Sequence, residues 1–152
     1  MAGMTNKGAF RLIGIGYRAV TATTKFYLAL VTSAVAPSDT TNVLSDLTEI
    51  AAGNGYTAGG QQVNRNATDF DVMTEDDANH RALIQLKDFG WTASGGNLPA
   101  SGSGARYVLL LDDNATPASR EVWNWWDLAA DRMVSNGQTM TLQDMEFRIV
   151  NT

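Results

Sequence analysis

The sequence predicts an all-β protein: an antiparallel β-sandwich or jelly roll of seven to eight short strands, with long loops and an N-terminal arm. Three observations carry this. Apolar runs of strand length recur along the chain, glycine-rich turns separate them, and no stretch holds a helical period beyond about two turns. At 152 residues, 44% hydrophobic and 18% charged, the chain has material for one packed core and not comfortably for two.

Residues 1–24 hold scattered glycines and no clean period, so they read as an arm with at most a helical turn at "AFRLI". The sandwich domain spans 25–152. "KFYLALVTS", 25–33, puts Phe26, Leu28 and Leu30 on one face and Tyr27, Ala29 and Val31 on the other, which marks a strand covered on both sides. Residues 36–60 open with Pro37 and end among glycines, a long loop with room for one helical turn at 44–50. A loop of that length suggests that something outside the chain orders it. "QQVNR" and "DFDVM" alternate briefly before the acidic turn "TEDDANH".

"RALIQLKDFGWTA", 81–93, reads as one strand with Ala82, Ile84 and Leu86 inward and Arg81, Gln85 and Lys87 outward. "SGGNLPASGSG" then crosses to "ARYVLLL", 105–111, where Tyr107, Leu109 and Leu111 alternate with Val108 and Leu110. Such a crossover fits consecutive strands in different sheets. Strands at 120–128, 138–143 and 146–150 finish the count, with "SNG" as the turn between the first two.

Charge and composition exclude several functions. A net charge of −5 with eleven scattered Lys and Arg leaves no basic cluster for phosphates, so nucleic acid is not an expected partner. Without cysteine there is no disulfide and no thiolate metal site. "FYLALV" and "YVLLL" fall well short of the roughly 20 residues of a membrane helix, and the start lacks an apolar leader, so a soluble, unexported chain without membrane contact is expected.

No catalytic motif survives inspection, and neither a cofactor nor a metal ion is expected. Gly14-Ile15-Gly16-Tyr17-Arg18-Ala19 has glycine spacing close to a dinucleotide fingerprint but lacks the strand before it and the helix after it; arm glycines explain it better. His80, the one histidine, sits beside "TEDDAN" and reads as a solvated turn residue. Neither Glu75, Asp76 and Asp77 nor Asp112 and Asp113 have calcium-loop spacing, and acidic turns are usually simply wet; a small carbohydrate-active enzyme using Asp112 or Glu121 is the reading from a different class.

Aromatic surface is the stronger signal. In an extended strand Trp123 and Trp125 point one way and Trp126 the other, with Val122 and Leu128. Burial on both sides of a sheet is one reading, and an interface anchor is the other. The acid-free arm, with Phe10, Leu12, Ile13, Ile15 and Tyr17, raises the same choice between folding back and docking on a neighbour.

Three stretches together resemble a family of small tailed-bacteriophage virion proteins. They are "FYLALVTSAVAPSDTTNVLSDLTEIAAGNGYTAGGQ" with its Gly55-Tyr56 element, "DFGWTASGGNLPASGSGARYVLLLDDNAT", and "WWDLAADRMVSNGQTMTL". The resemblance covers about residues 26–145. It implies a β-sandwich on the virion, either a capsid cement (decoration) protein or a tail-fibre component. The N-terminal "FRLIGIGYRAV" departs from the family, whose start is more usually a regular amphipathic helix, so no role is carried over to it.

The expectation is a head decoration protein without enzymatic activity. It sits on the outer surface of the capsid after synthesis in the host cytoplasm, and its partners are the major capsid protein and other copies of itself in a dimer or trimer. The alternative is a tail or fibre component that contacts host receptor or glycan. Phe10, Ile13, Tyr17, Tyr56, Trp123, Trp125 and Trp126 are the residues expected at the protein interface.

Overall fold

The computed structural model describes residues 2–150. The chain forms an all-β antiparallel sandwich, and its described residues hold ten strands in three sheets rather than seven or eight. One α-helix joins them there, with three single-turn 3-10 helices. The largest sheet contains β1 (Ala2–Met4), β2 (Lys25–Val31), β3 (Gln61–Asn64), β7 (Ala105–Leu111) and β8 (Val122–Arg132), in the order β1-β8-β7-β2-β3. A three-stranded sheet orders β10 (Met145–Val150), β5 (Arg81–Leu86) and β4 (Val72–Asp76), and β6 (Phe89–Thr92) pairs with β9 (Thr139–Leu142).

The two central strands, β2 and β7, are covered on both faces, as their uninterrupted apolar runs require. Phe26, Leu28 and Leu30 of β2 and Val108 and Leu110 of β7 face the main core, where they meet Phe89, Trp91, Met140, Leu142, Leu86 and Met145 from the two smaller sheets. Ala29, Val31, Leu109 and Leu111 face the opposite side, beneath Leu44 and Leu47. The segment 36–60 is therefore a cover for the large sheet. Leu44 and Leu47 close its outer face, while Ile50 and Tyr56 turn back into the main core.

That placement corrects the expectation that an external partner orders this loop. Its own buried side chains anchor it, helped by hydrogen bonds from Thr32 N–H to Thr48 O (2.8 Å) and Ile50 N–H to Leu30 O (3.0 Å). Tyr56 completes the anchor, donating its hydroxyl to Glu49 Oε1 at 2.5 Å and accepting the Leu30 N–H at 3.0 Å. Burial, then the neighbouring Glu49, push the Tyr56 hydroxyl pKa far up, so the group stays protonated and keeps donating.

Two further corrections concern strands. The run 81–93 is two strands, because the chain turns at Lys87-Asp88 and moves from the three-stranded sheet to the β6–β9 pair. Ala82 is exposed rather than inward; Leu86 alone of the three expected inward residues is fully buried. In β8, the register against β7 shifts between Leu111↔Val122 and Leu110↔Asn124, so one extra residue sits in β8 at Trp123. This bulge reverses the alternation. Trp123 joins Trp126 in the main core, and Trp125 joins Val122 on the other face.

The crossover reading of 94–104 holds, since it links β6 to β7 in a different sheet. Leu98 and Pro99 are buried within it, and Leu98 exchanges both backbone hydrogen bonds with Val134 at 2.9 Å.

The largest departure is at the N-terminus. The segment 1–24 was expected to be an arm; its described part is instead β1, paired with β8, followed by α1 (Asn6–Arg18). Gly8, Gly14 and Gly16 fall inside the helix, each about 1 kcal/mol poorer than alanine, so local propensity argues against a helix that tertiary contacts impose.

Candidate docking surface

Helix α1 is held at its N-terminal half. Thr5 caps it, its Oγ1 accepting the Gly8 N–H at 2.9 Å while its own N–H donates to Trp123 O at 3.0 Å. Gly8 lies against β8 so closely that a Cβ there would stand 2.4 Å from the Trp123 carbonyl oxygen. Arg11 donates through Nε and Nη2 to the two carboxylate oxygens of Glu121 at 2.6 and 2.7 Å, and Lys7 Nζ lies 3.8 Å away. Those bonds from Arg11 hold the Glu121 carboxyl below the usual range and raise the guanidinium pKa. At the other end Val20 N–H folds back to Gly14 O at 3.1 Å, and Ala19 takes the left-handed conformation that ends the helix.

This attachment fixes which face looks outward. Phe10, Ile13 and Tyr17 follow the i, i+3, i+7 spacing of one helical stripe, and they are 65%, 58% and 88% exposed. An apolar stripe on that scale, turned to solvent on a helix whose other side is already clamped, has the form of an anchor for a complementary groove. Its electrostatics are distinct. Residues 1–38 contain Lys7, Arg11, Arg18 and Lys25 and no Asp or Glu, in a chain whose net charge is −5. Arg18 adds a positive charge at the helix C-terminus, where the backbone carbonyls favour it.

The other residues expected at an interface go elsewhere. Tyr56, Trp123 and Trp126 lie in the core, Trp126 donating its indole N–H to Glu146 O at 2.9 Å. Trp125 is half-buried. It meets the ring of Tyr107 edge-on at 6.3 Å, and the Gly3 backbone lies over its indole nitrogen, with a Cβ there only 2.7 Å from Nε1. Trp123 Nε1, Asn124 Nδ2 and Trp125 Nε1 are buried with no hydrogen-bond partner among the described residues. Replacing Trp125 would thus disturb packing rather than remove a contact surface.

The carboxylates and glycines weighed as chemistry also have structural places. Glu121 clamps α1. Asp112, whose pKa burial raises, accepts N–H groups from Glu121 (2.9 Å) and Asn114 (3.3 Å). Desolvation acts upward on Asp113 too, but the hydroxyls of Thr23 and Thr24 and the Thr24 N–H outweigh it and bring its pKa to about 2. Asp76 pairs with Arg81 at 2.8 Å in the β4–β5 hairpin, and His80 is exposed just after that turn. Gly14 and Gly16, weighed as a nucleotide fingerprint, lie in the C-terminal half of α1, not between a strand and a helix start. Among the described residues no three His, Asp or Glu side chains converge to hold an ion. No helix there is long and apolar enough to cross a membrane.

Comparison with protein-family models, with curated proteins and with solved structures finds no match to this chain. The class that the geometry defines is an all-β antiparallel sandwich with a short N-terminal helix whose apolar stripe faces solvent.

Proposed function

We propose that this chain is a bacteriophage capsid decoration protein that binds the major capsid protein through the outer stripe of α1 and stabilises the head. The stripe of Phe10, Ile13 and Tyr17 is the observation that carries the reading. It suits helix-in-groove recognition, in which i, i+3 and i+7 side chains fill successive pockets. Lys7 and Arg11 are paired with Glu121, which leaves Arg18, at the C-terminal end of the helix, as the charge of α1 outside that pairing. The motif resemblance over 26–145 supplies the class of partner.

The mechanism is avidity. A single stripe offers a modest contact, but copies associated as dimers or trimers engage several lattice subunits, and each site already held raises the effective concentration at the next. The alternative, a tail or fibre component that contacts host receptor or glycan, would use the tryptophan strand and loop tips as a sugar platform, and burial of Trp123 and Trp126 takes those two rings out of it.

The test is a titration of purified protein onto heads assembled without it. Saturable binding at a fixed number of copies per head is expected, with occupancy lost in the combined Phe10→Ser, Ile13→Ser, Tyr17→Ser variant. Absence of saturable binding overturns the proposal.

A further inference from the structure

Beneath the C-terminal half of α1 the sandwich does not close. A groove of about 530 Å³ runs between the inner side of the helix, the inner face of the large sheet and the three-stranded sheet. Leu12 and Ile15 wall it from the helix, Phe26 and Trp123 form its floor, and Ile84 and Phe147 face them. Its volume lies in the range of small-molecule sites, and its lining is of the usual kind, apolar with a few polar side chains.

The polar side chains of the lining are Thr23, Arg65, Asn66 and Asn124, and Arg65 and Asn66 are neighbours in the chain. No Asp or Glu lines the groove, although the chain has sixteen, and the one charged side chain there is Arg65. Arg65 makes no ion pair among the described residues. Beside it, Asn66 accepts the Thr68 and Asp69 N–H groups on Oδ1, each at 3.0 Å, which fixes that side chain and leaves its amide N–H groups without a partner among the described residues. A guanidinium and an oriented amide from consecutive residues, both exposed to solvent and both lining an apolar groove, offer donors and a positive charge to an anionic head group whose tail is hydrocarbon.

We propose that this groove binds a long-chain carboxylate, the acyl chain lying between α1 and the two sheets and the carboxylate held by Arg65 and Asn66. The site is independent of capsid docking, because the stripe of Phe10, Ile13 and Tyr17 points away from it. A cationic amphiphile meets repulsion from Arg65, and a neutral one gains the apolar contacts without the charge-assisted hydrogen bonds. Ligand in the groove adds an apolar support under the half of α1 that β8 does not reach.

The experiment titrates methyl-labelled protein with dodecanoate, dodecanol and dodecylammonium, each below its micelle-forming concentration. Saturable shifts are expected at the Ile15, Ile84 and Ile149 methyls, with dodecanoate about tenfold tighter than dodecylammonium. Arg65→Glu should reverse that order with the fold unchanged by circular dichroism, and Ile84→Trp, which fills the groove, should abolish binding of all three. Equal affinities for the three amphiphiles, or no shifts at those methyls, overturn the proposal. So does self-association that Ile84→Trp removes in the absence of any amphiphile, which would give the groove to a second copy.

Discussion

Arg11 and Glu121 form a two-pronged ion pair, both carboxylate oxygens accepting guanidinium hydrogens at 2.6 and 2.7 Å, and it is a charged link between helix α1 and the residue that precedes strand β8. The pair is partly shielded from solvent, so its loss should cost about 1 kcal/mol. Glu121→Gln should therefore raise amide exchange across residues 6–18 while leaving β2 and β7 protected. Hydrogen exchange followed residue by residue makes the comparison.

Two glycines of the same helix should respond in opposite directions. Gly8→Ala drives a methyl group into the Trp123 carbonyl, so the helix must lift from β8 and the melting temperature should fall. Gly16 has open space around the position of a Cβ, and Gly16→Ala should stabilise by about 0.5–1 kcal/mol. Thermal melts of the two variants check both signs.

The Asp69 carboxylate should make the fold acid-sensitive. Lys87 Nζ at 2.5 Å lowers its pKa most, and the Asn64 backbone and side-chain N–H groups at 2.7 and 2.9 Å lower it further. A carboxyl depressed in the folded state stabilises the protein above its unfolded pKa, near the ordinary 3.8, and that contribution is lost as the pH falls through the lower folded value. Asp113, at about 2, acts in the same direction, and Asp112, raised by burial, acts in the opposite one. Urea midpoints at pH 7 and at about pH 2.5 should differ less in Asp69→Asn than in the wild type.

Removing the Tyr56 hydroxyl should loosen the cover over the large sheet. Tyr56→Phe leaves the Leu30 N–H without its partner and takes one of two donors from Glu49 Oε1, which keeps the Gly59 N–H at 2.6 Å, at a cost of about 1–3 kcal/mol. Denaturant unfolding gives the magnitude, and faster exchange at Ile50, whose N–H reaches Leu30 O, gives the location.

Where burial alone decides structure, the sequence was a sufficient guide. The apolar runs of β2 and β7 required cover on both faces and have it, and the glycine-serine segment 94–104 does cross between sheets. Elements decided by a distant contact were hidden. The three glycines of α1 speak against a helix, and what outweighs them is the hold of Thr5 on the Trp123 carbonyl and of Arg11 on Glu121, partners more than a hundred residues away in sequence. Trp123 shows the same limit in a strand. Alternation places it with Trp125, and only the register against Leu110 and Leu111 reveals the bulge that sends it inward. Phe10, Ile13 and Tyr17 were recognisable as apolar groups in need of a place, but their common stripe depends on the helix.

The central claim is that the outer stripe of α1 is the docking face, and a density map of the decorated head, resolved well enough to trace this chain, tests it most directly. The account predicts Phe10, Ile13 and Tyr17 seated in a groove of the major capsid protein. A map with α1 facing solvent and another surface of the sandwich against the shell would contradict it.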